Sequence, residues 1–269
     1  VFGTRTENQF IQNLNDSKRN DPKFILKIFS SILKKCNQKV LKYLNLSDYS
    51  IILCAENAKC LQAISENCPN LIYLNLSKHK ITRGRHSHPF SNYHFNKLTQ
   101  NLPNLQTIDL RNCPINDTNV KCLFENCKLL ETIDLSHCKL LIGKCFENVK
   151  VENLRNLLIN SCTSMQEEYL INFLRINGKY LYSGFYASGL NSSKLSSRFY
   201  ESVIDNLIYV KNLSITCNTI EQTTNLFKMT NLIELDLCLS QANDNALALV
   251  LNKCNRLKSL NLSWCNDLT

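Results

Sequence analysis

Residues 127–138 read Cys127-Lys128-Leu129-Leu130-Glu131-Thr132-Ile133-Asp134-Leu135-Ser136-His137-Cys138. Ile133, Asp134 and Leu135 alternate apolar, polar, apolar, the period of a strand with one buried face. The same frame, Leu-x-x-Leu-x-Leu-x-x-Cys/Asn, returns along the chain. Leu41/Leu44/Leu46, Leu71/Leu74/Leu76 and Leu105/Ile108/Leu110/Cys113 precede this stretch. Leu154/Leu157/Ile159/Cys162, Val210/Leu213/Ile215/Asn218, Leu232/Leu235/Leu237 and Leu257/Leu260/Leu262/Cys265 follow it. A degenerate unit fills the gap, aligned here on Leu181, Gly184, Tyr186 and Gly189. On this alignment the second apolar position falls at 44, 74, 108, 133, 157, 184, 213, 235 and 260, nine units with a mean step of 27 residues.

No single unit can bury its own apolar face, so stability must come from stacking neighbours. Between the strands lie helical patterns, of which Asp117–Cys127 and Asn243–Leu251 are the clearest. Val120, Leu123, Phe124 and Cys127 share one helical face, and Asn116 or Asp117 suits the N-cap. The expected fold is α/β: a solenoid with a parallel sheet on its concave side and helices on its convex side.

Fourteen cysteines in 269 residues would suggest a disulfide framework in a small secreted protein. Here eight of them recur at two fixed places in the unit: Cys113, Cys138, Cys162 and Cys265 after the strand, and Cys68, Cys127, Cys254 and a looser Cys36 before it. A thiol returning at a buried rung acts as a small hydrophobe, which favours a reducing compartment, cytoplasmic or nuclear. There is no Cys-x-x-Cys pair to suggest a zinc ribbon or redox motif. Sequons such as Asn45-Leu46-Ser47 arise from the strand motif and do not imply secretion.

The unit length and frame place the chain among leucine-rich repeats. Cys127–Cys138 and Cys254-Asn255-Arg256-Leu257-Lys258-Ser259-Leu260-Asn261-Leu262-Ser263-Trp264-Cys265 resemble the cysteine-containing subclass. The resemblance covers residues 36–269 and implies a leucine-rich-repeat horseshoe. This subclass is typical of F-box/leucine-rich-repeat proteins, whose repeats hold a substrate while the F-box docks onto a Skp-type adaptor of a cullin ubiquitin ligase. Mitotic-exit-antagonist-like proteins share the repeats without an evident F-box. The resemblance therefore implies a protein partner on the concave face, and an adaptor and cullin if an F-box accompanies these repeats.

Residues 1–35 stand apart. Asp21-Pro22-Lys23-Phe24-Ile25-Leu26-Lys27-Ile28-Phe29-Ser30 echoes the opening of an F-box. The spacing from Pro22 to Ile28 is one residue short, and the second half of an F-box has no room before the first strand. The favoured reading is a capping helix of a further repeat, with Ile25, Ile28, Phe29, Ile32 and Leu33 packed on the first strand. The last residues, Cys265–Thr269, stop where another helix would start, so further repeats are expected outside the chain, where an F-box would also lie if one is present.

Residues 1–100 carry 15 Lys+Arg against 6 Asp+Glu, which accounts for the whole net charge of +9. A basic end suits an acidic partner surface, but no aromatic-interleaved basic stripe points to nucleic acid. No apolar run reaches the length of a membrane span. No nucleophile elbow, phosphate loop, dinucleotide fingerprint or zinc-protease motif occurs, and Gly184–Gly189 has the wrong spacing for an elbow. The expected function is non-catalytic, without cofactor or metal.

Binding is expected on the outward strand positions. The candidates are Thr107, Asp109, Arg111, Thr132, Asp134, Ser136, Asn156, Leu158, Asn160, Phe185, Asn212 and Ser214. In their central column Leu158 and Phe185, with Ala187 beside them, interrupt a polar series, and adjacent exposed apolar residues mark partner sites. The competing reading puts the degenerate unit out of register, with Phe185 pointing inward. A second candidate is an insertion of about eight residues containing Arg83, Arg85, His86 and His88, because insertions in solenoids map to one face. It is read as a basic loop meeting an acidic partner or as an ordinary surface loop. A metal site from His86, His88 and His94 lacks a carboxylate or Cys nearby in sequence.

Overall fold

The computed structural model describes residues 21–36, 40–47, 57–77, 90–191, 195–265 and 267–268. The chain forms two compact units, residues 1–130 and 131–269. In the first, strands Tyr43–Asn45 (β1), Tyr73–Asn75 (β2) and Thr107–Asp109 (β3) run parallel in sequence order, with Leu44 opposite Leu74 and Leu74 opposite Ile108. Helices Pro22–Lys35 (α1), Asn57–Asn67 (α2), Asn92–Gln100 (α3) and Asp117–Asn126 (α4) pack each against the next. In the second unit the strands are Thr132–Asp134 (β4), Asn156–Leu158 (β5), Gly184–Tyr186 (β6), Asn212–Ser214 (β7), Glu234–Asp236 (β8) and Ser259–Asn261 (β9), again parallel in order. Its helices are Glu167–Asn177 (α5), Ser197–Asn206 (α6), Ile220–Asn225 (α7) and Asp244–Lys253 (α8), and the return after β4 uses only a 3₁₀ turn at Lys144–Phe146. The chain is an α/β leucine-rich-repeat solenoid, with nine strand repeats among the described residues.

The middle residue of each three-residue strand points inward. Leu44, Leu74, Ile108, Ile133, Leu157, Leu213 and Leu235 are all buried, and each such side chain contributes about 1.5–3 kcal/mol of transfer free energy. Phe95, Phe146, Phe173 and Phe199 fill the layer between strands and helices, with Phe146 and Phe173 rings 4.8 Å apart. Some helix starts are closed by side-chain caps. Asn116 forms a reciprocal capping box with Asn119, and Asn243 accepts from the Ala246 N–H.

The degenerate repeat corrects the alignment. Phe185 pairs with Leu157 on one side and Leu213 on the other and is fully buried. Gly184 and Tyr186 therefore hold the outward positions assigned above to inward ones, and Phe185 is not a surface residue. The steps on either side of residue 185 are both 28 residues. The cause is one extra residue between Leu181 and Phe185, where the other repeats have only two residues between first and second apolar positions. Elsewhere a single carbonyl accepts two N–H groups from the next repeat: Lys42 takes Ile72 and Tyr73, and Lys211 takes Ile233 and Glu234. At the degenerate repeat this pair is split, Lys211 N–H donating to Tyr182 and Asn212 N–H to Ser183. That is a β-bulge, which absorbs one residue and restores the face of everything after it.

The rung after this strand is likewise Leu190, 7% exposed, rather than Gly189. Gly189 sits at the left-handed corner, φ +67°, a conformation shared at the same repeat position by Asn112, His137, Ser161, Leu239 and Trp264. In the seventh repeat Cys217 takes the buried place that the frame gave to Asn218.

Helix α1 packs on α2. Among its described side chains Leu26 and Leu33 are buried, whereas Ile32, expected on the packed apolar face, is 38% exposed.

Candidate functional site

The outward column of the strands performs a structural task that its polarity alone did not reveal. Asn45, Asn75, Asp109, Asp134, Asp236 and Asn261 each accept, through Oδ1, the backbone N–H two residues on, at 2.9–3.0 Å. These Asx turns end the strand and satisfy a donor that the next strand residue would otherwise claim. Asn75 and Asp109 are buried in doing so. Arg111 folds back onto Asp109 with three side-chain hydrogen bonds, the shortest 2.8 Å, so both predicted contact residues are engaged within the chain. Thr107 is half-buried beside them.

In the second unit the pattern breaks at β5–β7, where the column reads Leu158, Tyr186, Ser214. Leu158 is directly opposite Tyr186, and both are half-buried on the outward face. The predicted pair of Leu158 with Phe185 thus becomes Leu158 with Tyr186, while Ala187, 2% exposed, points inward like Phe185. Gly184 makes room for the tyrosine: a Cβ there would lie 2.4 Å from Tyr186 Cε2 and 2.9 Å from Asn156 Oδ1. The ring therefore lies back across the glycine.

Around this pair the polar groups are tied to one another. Asn156 donates to Thr132 Oγ1 at 3.1 Å, and Asn160 Oδ1 accepts from the Ser188 N–H at 2.9 Å. Ser214 Oγ donates to Asp236 Oδ2 at 2.9 Å, so its 2.6 Å contact with Ser188 Oγ must be accepted from Ser188. The outcome is a proton-ordered row from Ser188 to the Asp236 carboxylate. Asn212 is half-buried beside it. Ser136 is 3% exposed, and its hydroxyl has no partner among the described residues. Of the predicted strand residues of this unit, Thr132, Asp134, Asn156, Leu158, Asn160 and Asn212 remain partly accessible, whereas Ser136 and Ser214 are buried and Phe185 lies in the core.

Arg83, Arg85, His86 and His88 lie outside the described residues. His94 sits in the first turn of α3 with Nδ1 3.0 Å from Ser91 Oγ. Among the described residues no cluster of His, Cys, Asp or Glu is arranged to hold a metal, and no helix is long and apolar enough to cross a membrane.

The cysteines have a polar duty besides packing. Cys113 donates to the Leu76 carbonyl at 3.0 Å, Cys162 to Leu135 at 3.1 Å and Cys265 to Leu237 at 3.2 Å, always one repeat back. Ser240 repeats the contact with Ile215 at 3.4 Å. The pre-strand thiols Cys127 and Cys254 reach carbonyls of the preceding helical segment, the nearest at 3.7 and 3.4 Å. Burial pushes the thiols of Cys60, Cys68, Cys127, Cys162 and Cys217 up to about 12. These five are free, protonated, inert thiols rather than nucleophiles.

No family model matches the chain, and no curated protein matches it. Solved structures do. The leucine-rich repeat-containing protein LegL7 of Legionella pneumophila is 13% identical, with 86% of this chain and 77% of that one covered and a TM-score of 0.49. A chain of the Rad7 and Elc1 complex of yeast is 15% identical over all of this chain and 83% of its own, with a TM-score of 0.45. An internalin (inlF) of Listeria monocytogenes is 14% identical over 77% of this chain and 65% of its own, with a TM-score of 0.37.

Proposed function

We propose that this chain is a non-catalytic binding module that holds a protein partner on the strand face of residues 131–269, centred on Leu158 and Tyr186. The observation that carries it is local. Where β1–β4, β8 and β9 spend the central outward residue on an Asx turn, β5 and β6 replace it with a leucine and a tyrosine side by side. An apolar and an aromatic residue at paired outward positions, rimmed by amides and hydroxyls, are the composition of a binding hot spot.

The finer reading makes the partner a substrate and the chain the recognition subunit of a Skp–cullin–F-box ubiquitin ligase. It is supported by the two cysteine rungs of the repeat, which resemble those of F-box/leucine-rich-repeat proteins. The alternative, a ubiquitin-independent scaffold, is favoured by α1, which stacks on α2 as a repeat helix does. The test is affinity purification of the full-length protein from its own source, with Leu158→Glu/Tyr186→Lys in parallel. The receptor reading requires a Skp-type adaptor and a cullin with both forms, and a partner lost only from the variant. A partner without adaptor or cullin leaves the scaffold. The same partners on both forms would remove the strand-face site.

A further inference from the structure

The bulge before β6 has a second consequence, on the edge where the chain enters the strands. The shared carbonyls define a row of equivalent residues along this edge: Glu131, Arg155, then Tyr182 and Ser183 at the bulge, Lys211, Ile233 and Lys258. The extra residue turns Tyr182 outward, 42% exposed, and the Arg155 guanidinium lies 4.9 Å from its ring centroid. Tyr209, 56% exposed, stands nearby. Together with Lys211, Ile233, Arg256 and Lys258 the two tyrosines line an open depression of about 800 Å³. Its guanidinium is held in place: Arg256 donates to Asn231 Oδ1 at 3.2 Å, and Asn231 donates to the Ile208 carbonyl at 2.8 Å. Among the described residues neither Lys211 nor Lys258 has a carboxylate at ion-pair distance.

We propose that this depression binds an acidic protein segment, with Lys211, Arg256 and Lys258 taking its Asp or Glu side chains and Tyr182 and Tyr209 covering an apolar residue between them. Charge complementarity chooses the occupant. Three cations without carboxylate neutralisation face one opening, and a fixed guanidinium pairs bidentately with carboxylates. The unit as a whole is not basic: residues 131–269 carry 13 Lys+Arg and 13 Asp+Glu. Nucleic-acid affinity grows with the number of phosphates neutralised, which a neutral unit with one small cationic cluster cannot supply. A short acidic stretch needs only the cluster. This site does not rest on the strand-face reading, since it uses none of the same residues.

The probe is a fluorescein-labelled peptide of Asp, Glu and Leu, titrated with the full chain and followed by anisotropy. Controls are its Asn/Gln counterpart and a single-stranded oligonucleotide of equal charge. Saturable binding of the acidic peptide is expected, lost in the amide peptide and weakened about tenfold or more by Lys211→Glu/Lys258→Glu. Lys139→Glu/Lys144→Glu changes the net charge equally outside the depression and should leave binding within about twofold. If the first double variant fails to fold by circular dichroism, Lys211→Gln/Lys258→Gln serves in its place. Equal weakening by both pairs, no binding of the acidic peptide, or tighter binding of the oligonucleotide at Lys211 and Lys258 would each overturn the proposal.

Discussion

Phe185 and Tyr186 are neighbours with opposite fates. Phe185 is fully buried between Leu157 and Leu213, so Phe185→Ala should cost about 3–5 kcal/mol in urea unfolding. Tyr186→Ala removes a half-buried ring from the outward face and should cost less than about 1.5 kcal/mol. Reversed magnitudes would return the degenerate repeat to the uncorrected register. The thiols supply a residue-scale test by pH. Cys60, Cys68, Cys127, Cys162 and Cys217 are raised by burial to about 12, whereas an unfolded thiol ionises near ~8.5. The folded value is the higher one. Their contribution to stability is therefore complete below the unfolded value and lost as pH climbs from there through 12. Urea midpoints should fall between pH 8 and pH 10, and a thiol reagent at pH 8 should modify Cys36, Cys238 and Cys265 well before any of these five. Fast labelling of Cys162 in the folded protein would contradict this.

At the scale of elements, strands were legible because Leu-Asn-Leu and Ile-Asp-Leu carry the period of two, and Asp117–Cys127 was legible as a helix from its face and its Asn116 cap. The bulge was not. A single inserted residue leaves composition unchanged and offers two alignments, Gly184 or Phe185 inward, which only the cross-strand pairing separates. The Asx turns were hidden for a different reason: an outward Asn or Asp has the same pattern whether it meets solvent or caps its own backbone. The basic edge left a faint signal, since Lys211 and Lys258 stand two residues before Leu213 and Leu260. Its tyrosine needed the bulge to be seen. Helix caps carry a prediction here. Asn243 accepts the Ala246 N–H at 2.9 Å, so Asn243→Ala should cost about 1 kcal/mol. Ser196 makes no side-chain cap bond, its hydroxyl donating to Glu167 instead at 2.9 Å, so Ser196→Ala should change the stability of α6 by less.

Across the molecule, most repeats commit their strand surface to maintenance of the stack. The Asx turns, the thiol-to-carbonyl rungs and the shared carbonyls recur in repeat after repeat, and what recurs holds the stack together. Departures from the pattern cluster in β5–β7, where the bulge, the missing Asx residues and the Gly184–Tyr186 contact coincide. The proposed partner docks there. The most direct measurement replaces Tyr186 with a photoreactive phenylalanine derivative in the full-length protein, with the same replacement at the exposed Glu201 of α6 as the comparison. Irradiation should join the partner to residue 186 and not to residue 201. Crosslinking from residue 201 alone would put the partner on the helix face and rule out the Leu158–Tyr186 site.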